Sequence, residues 1–92
     1  MNAEIEVNPE RIPAVRAPFR LQWEPVQNAW VLLYPEGMVR LNPSAGEILQ
    51  RCDGQRPAAD IAAELGAAFD APADDVLQFL EVATRQGWLQ WT

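Results

Sequence analysis

Phe19, Leu21 and Trp23 alternate with Arg20 and Gln22, the two-residue period of a strand with one buried face. Pro25 stops that strand, and Gln27 with Asn28 supplies turn chemistry. Residues Ala29 to Tyr34 are apolar on both faces and rich in β-branched and aromatic side chains, as in a more completely buried strand. Pro35-Glu36-Gly37 then reverses the chain, with proline fixing φ at the first corner and glycine tolerating positive φ at the last. A third strand, Met38 to Leu41, puts Val39 and Leu41 on one face and Met38 and Arg40 on the other. Together these predict a three-stranded antiparallel meander.

Beyond Leu41 the period changes to that of helices. Asn42 is a good cap and Pro43 a favoured first helical residue, although Ser44 with Glu47 offers a competing capping box. Ile48, Leu49 and Cys52 form the apolar stripe of this first helix, and Asp53-Gly54 ends it. A second helix opens at Pro57, carries Ile61, Leu65, Ala68 and Phe69, and closes at Asp70-Ala71-Pro72. The third has Asp74 and Asp75 in its first turn and Arg85 in its last, which complements the helix dipole at both ends. Its apolar residues Val76, Leu77, Phe79, Leu80, Val82 and Ala83 cover more than one stripe. Gly87 stops it, and residues 88–91 alternate again as a short strand or packed tail. The order β-β-β-α-α-α predicts an α+β, winged-helix-like domain.

Ninety-two residues make one domain with one modest core. The domain is expected over residues 19–92. Residues 1–18, with Pro9, Pro13 and Pro18 in a polar stretch, are expected to form an extended arm, loose or laid over the body. The single cysteine, Cys52, excludes an internal disulfide framework, and its place on an apolar stripe suits a small buried hydrophobe. No signal-peptide pattern or membrane-length apolar run is present, so a cytoplasmic location is expected.

Charge and chemistry narrow the function further. The net charge is −6, of which −5 falls beyond Asn42. A phosphate backbone or an anionic membrane surface would be repelled by that half, so neither nucleic acid nor membrane is an expected partner. A winged-helix DNA-binding or regulatory domain is the alternative its shape allows. Against that, the third helix offers a groove only Arg85 beside Asp74, Asp75 and Glu81. Without histidine or lysine there is no Ser-His or Cys-His pair and no Schiff base, and capping accounts for the adjacent Asp74 and Asp75. No catalytic residue, metal site or cofactor of this chain's own is expected.

What remains is an exposed strand edge. The third strand, Met38-Val39-Arg40-Leu41-Asn42, carries no proline and leads directly into the helices. An extended peptide could add to it as a further strand, with Val76, Phe79, Leu80 and Ala83 of the third helix giving apolar pockets. Some of those four would face the core and others the groove. Pairing of the same edge with its own copy, as a weak homodimer, is a further expectation.

The string Tyr34 to Asn42, followed by Ser44-Ala45, Ile48-Leu49 and Cys52-Asp53-Gly54, resembles the PqqD family of pyrroloquinoline quinone (PQQ) biosynthesis proteins. Ile61 with Leu65, and Phe79-Leu80 followed by Gly87-Trp88-Leu89, also match, so the likeness spans residues 19–89. The resemblance implies a peptide chaperone of the recognition-element type found in ribosomally made, modified peptides (RiPPs). Such a protein binds the precursor peptide PqqA as a strand added between the third strand and third helix. It also associates with PqqE, a radical S-adenosylmethionine (SAM) enzyme that joins a glutamate to a tyrosine in that peptide. Iron–sulfur clusters and SAM would belong to that partner. One departure is the opening of the second helix, Arg56-Pro57-Ala58, where a Ser or Thr cap is common in such domains.

Overall fold

The computed structural model describes residues 7–92. Its elements are β1 (Pro13–Val15), β2 (Arg20–Glu24), β3 (Ala29–Tyr34), β4 (Gly37–Arg40), α1 (Pro43–Gln50), α2 (Ala58–Phe69), α3 (Ala73–Arg85) and β5 (Leu89–Trp91). Strands β2, β3 and β4 form the expected antiparallel meander, with Leu21 opposite Leu32 and Leu32 opposite Val39. Three helices follow, as the α+β reading requires. Asn28 takes the left-handed conformation (φ 53°) that closes the β2–β3 turn, a role its short amide side chain suits.

One strand was not legible. β1 pairs antiparallel with β5, Pro13 opposite Trp91 and Val15 opposite Leu89, making a second, two-stranded sheet. Order therefore begins before Phe19, and residues 7–18 lie along the body; the first six residues of the expected arm fall outside the described residues. Ile12 and Thr92 exchange both backbone hydrogen bonds, so the position of Pro13 points away from β5 and its missing N–H breaks no rung. The Pro13 carbonyl accepts from Gly54 N–H at 3.0 Å, which ties the same segment to the α1–α2 turn.

The arm also supplies the cap that α2 lacks. No side chain caps that helix. Instead the N–H groups of Ala58 and Ala59 donate to the carbonyls of Arg11 (2.9 Å) and Pro9 (2.8 Å). Those orphan donors would otherwise be unpaired, so the absent Ser or Thr is replaced by tertiary structure. At α1 the cap is local: Asn42 Oδ1 accepts from Ala45 N–H at 2.8 Å, and the Ser44–Glu47 capping box is not used.

The core lies between the inner face of the sheet and the helices, built on Leu32, Leu41, Ile48, Leu49, Ile61, Leu65, Val76, Leu80 and Leu89. Gly46 allows α1 to press onto β3. A Cβ there would stand 2.8 Å from Trp30 Cδ1 and 3.1 Å from Trp30 Cβ, closer than real carbon contacts come. Helix propensity alone makes Gly46→Ala stabilising by about 1 kcal/mol. Overpacking against the indole costs about 1–3 kcal/mol and should outweigh it. Urea denaturation should show a lower midpoint for G46A; a higher one would mean that α1 moves freely off Trp30.

Candidate peptide-docking site

The open edge of β4 is the first part of the site. In the strand order β2-β3-β4 its outer side has no neighbour among the described residues. Leu41 N–H donates to Trp30 C=O at 3.0 Å, which fixes the phase of the ladder. Inward-pointing groups recur every second residue, so Gly37, Val39 and Leu41 bond to β3 while the N–H and C=O of Met38 and Arg40 point outward. Side chains follow the other alternation. Val39, half-buried, and Leu41, buried, face the core; Met38 is 45% exposed and Arg40 is exposed. β2, the other edge, is bounded by Pro18 and Pro25.

The helical wall differs from the one expected. Val76, Leu80 and Ala83 are core residues, exposed by 2, 0 and 0%. Positions 76, 80 and 83 repeat at four and three residues, so one stripe carries all three, and that stripe packs inward. Their side chains are held by the core and only Phe79 of the expected four is half-buried. A residue overlooked for this wall, Val82, is 42% exposed and lies on Phe79's flank three residues on. The opposite flank meets the chain's ends: Thr84 Oγ1 accepts from Trp91 Nε1 at 3.0 Å, and Glu81 and Thr84 border a hollow shared with Val7, Asn8 and Arg11. The free apolar flank of α3 is therefore Phe79–Val82. Val39 and Phe79 rim the same core, while the main packing partners of α3 are α2, α1 and β5, and that of β4 is β3.

Two depressions adjoin the start of α1. The larger, about 600 Å³, opens where β4 leaves β3 and is lined by Trp23, Asn28, Trp30, Arg40, Asn42 and Glu47 among others. Trp23 and Trp30 meet edge-to-face at 5.6 Å, and Trp23 remains 43% exposed. The smaller, about 370 Å³, lies between Ile48, Leu65, Phe69 and Val76, with Phe69 56% exposed. Sequence reasoning placed Arg40, Leu41 and Asn42 at the site but took both tryptophans as strand packing alone. A tryptophan at the end of an alternating run, two residues before a proline, was the available signal.

Among the described residues, three of the chain's seven arginines stand in ion pairs. Arg51 pairs with Glu47 (2.9 Å) and Glu64 (3.3 Å), Arg56 with Asp53 (3.0 Å) and Glu64 (2.6 Å), and Arg85 with Glu81 (3.4 Å). The Arg51 and Arg56 pairs with Glu64 tie the α1–α2 turn to α2, and all of these partly exposed pairs add little stability individually. Cys52 is buried beneath that turn, where burial above all, and then the Asp53 charge, push its thiol up to about 12, with Arg56 opposing. It is a packed hydrophobe, not a nucleophile. Among the described residues no group of three or more His, Cys, Asp or Glu is arranged to hold a metal, and no helix is long and apolar enough to cross a membrane.

These features define a small α+β domain that offers an open strand edge and a partly exposed helix flank. The chain belongs to the PqqD family: the model for coenzyme PQQ synthesis protein D matches residues 29–89. It is similar to the PqqA binding protein of Azotobacter vinelandii, at 54% identity over 86% of this chain and 89% of the relative. The PqqA binding proteins of Pseudomonas aeruginosa PAO1 (51%; 88 and 91% covered) and Klebsiella pneumoniae (46%; 85 and 88%) are also similar. The solution NMR structure of the PqqD truncation of Methylobacterium extorquens PqqCD superimposes with a TM-score of 0.73 at 28% identity, covering 94% of this chain and 96% of that one. That truncation is described as a functional, stand-alone RiPP recognition element.

Proposed function

We propose that this chain is a peptide chaperone of PQQ biosynthesis that binds a PqqA precursor peptide as a strand added to β4 and presents it to the radical SAM enzyme PqqE. The observation that carries the reading is the outward ladder of Met38 and Arg40, donors and acceptors with no strand partner among the described residues, in a chain similar to proteins named for binding PqqA. Backbone bonds at that edge supply affinity, and the Phe79–Val82 flank offers apolar contact to alternate side chains of the peptide. Of the expected peptide-binding residues, Met38, Val39, Arg40, Leu41, Asn42 and Phe79 remain in the proposed site; Val76, Leu80 and Ala83 support it from beneath.

Holding a flexible substrate beside a catalyst raises its effective concentration there, which is the benefit such a domain gives without chemistry of its own. An amide-resolved NMR titration of the chain with a PqqA peptide tests the reading. Shifts should concentrate at Gly37 to Asn42 and at Phe79 and Val82. A spectrum unmoved by excess peptide overturns it.

A further inference from the structure

The start of α1 stands between the two depressions, since Pro43 and Glu47 line both. The larger lies toward β3 and holds the indoles. The smaller takes none of its lining from β2 or β3 and opens toward α2 and α3 instead. At about 370 Å³ it falls within the range of small ligand sites, about 300–1,000 Å³. Its floor is made by Ile48, Leu65 and Val76, all buried, yet Phe69 at its lip is 56% exposed. Its walls continue both halves of the docking site. Pro43 directly follows Asn42, where the open edge ends, and Val76 precedes Phe79 by one turn of α3. The one charged wall, Glu47, is held by Arg51 at 2.9 Å. Exposed Asp70, Asp74 and Asp75 lie in the chain between Phe69 and Val76.

We propose that this hollow is an anchor site for one uncharged apolar side chain, aliphatic or aromatic, of the docked peptide. The inference rests on the strand-addition reading above and deepens it. The helices pack on the sheet face that carries Leu32, Val39 and Leu41. Of a strand added to β4, only alternate side chains point toward them, those in phase with Val39 and Leu41. The others, in phase with Met38 and Arg40, point to the opposite face. A peptide that leaves the edge at Asn42 runs on over Pro43 and reaches the hollow with a side chain of the first set. Extended chain keeps that phase, so the anchor stands an even number of residues from the one opposite Val39. Seating it covers Phe69 and takes apolar surface of both partners out of water. An acidic side chain would meet Glu47 and the neighbouring aspartates with no cation free to pair it, so the hollow rejects one.

The test uses the full chain labelled at amides, methyls and aromatic rings, a PqqA peptide, and peptide variants in which each apolar residue becomes alanine one at a time. Peptide side-chain protons should give intermolecular NOEs to the Phe69 ring and to the Ile48 and Val76 methyls, while the amides of Met38 and Arg40 shift. Phe69→Ala should weaken binding about fivefold to tenfold and leave the fold intact, because the ring is exposed. One alanine change in the peptide should weaken the wild-type complex by the same factor and the F69A complex markedly less. If the β4 amides move while the Phe69 ring and the two methyls stay still, or if F69A and every peptide change are additive, the anchor site is overturned and strand addition stands. If no β4 amide moves, both fall. Phe69 shifts that follow protein concentration without peptide would assign the hollow to a second copy of the chain and also overturn the anchor site. The NOEs need no variant, so they decide the matter even where F69A misfolds.

Discussion

Arg40→Pro should reduce affinity for a PqqA peptide by at least about tenfold, for the loss of one edge hydrogen bond and the ring's clash with the incoming strand. The protein should stay folded, because the N–H removed points away from β3. Val39→Pro is the contrast. Its N–H lies on the inner rung with Leu32, so that proline breaks the β3–β4 ladder itself. The two neighbouring prolines thus separate binding from folding by one residue of register. Arg40→Gln, which keeps the N–H, isolates the side chain's part. Isothermal titration with circular dichroism reads both quantities, and a folded R40P variant with wild-type affinity would remove β4 as the docking edge.

The second large effect concerns stability. Leu80 is fully buried among the core residues contributed by the sheet and all three helices. Truncation to alanine should cost about 3 kcal/mol through lost burial and the cavity left behind. In a domain of this size that corresponds to a drop of roughly 12–24 °C in Tm. Val82→Ser, on the exposed flank of the same helix, should change stability by no more than about 0.5 kcal/mol while weakening peptide binding. Thermal melts and titrations of the two variants make the comparison. A Leu80→Ala protein that melts normally but binds poorly would return Leu80 to the groove.

That contrast marks a limit of one-dimensional reading. The residues of α3 are apolar around much of its circumference, and the sequence named its inner stripe and outer flank together. Which flank meets the chain's ends was decided by tertiary contacts: the bond from Trp91 Nε1 to Thr84 and the hollow shared by Glu81, Thr84, Val7, Asn8 and Arg11 lie on one side, while Phe79 and Val82 lie on the other. No local pattern announces such contacts, since Pro13–Val15 is three residues long and finds its partner 76 residues further on.

The sequence by itself determined what short-range physics controls. Alternation and turn chemistry set the meander, with Asn28 left-handed at one turn and Pro35-Glu36 at the other, although Gly37 opens β4 without the positive φ its type allows. Asn42-Pro43 set the start of α1, and acids at one end with an arginine at the other oriented α3. Because a strand's hydrogen-bonding sides alternate, the sequence also named the segment Met38 to Asn42 as an edge. Only the tertiary structure decided its phase, which the rung from Leu41 to Trp30 shows, and so decided that the N–H groups of Met38 and Arg40 face outward. It alone brought Trp23, Trp30 and Asn42 to one cleft, and the carbonyls of Pro9 and Arg11 to the bare end of α2. Those outcomes depend on contacts between residues far apart in the chain, whose chain-closure entropy is offset only when the whole core assembles.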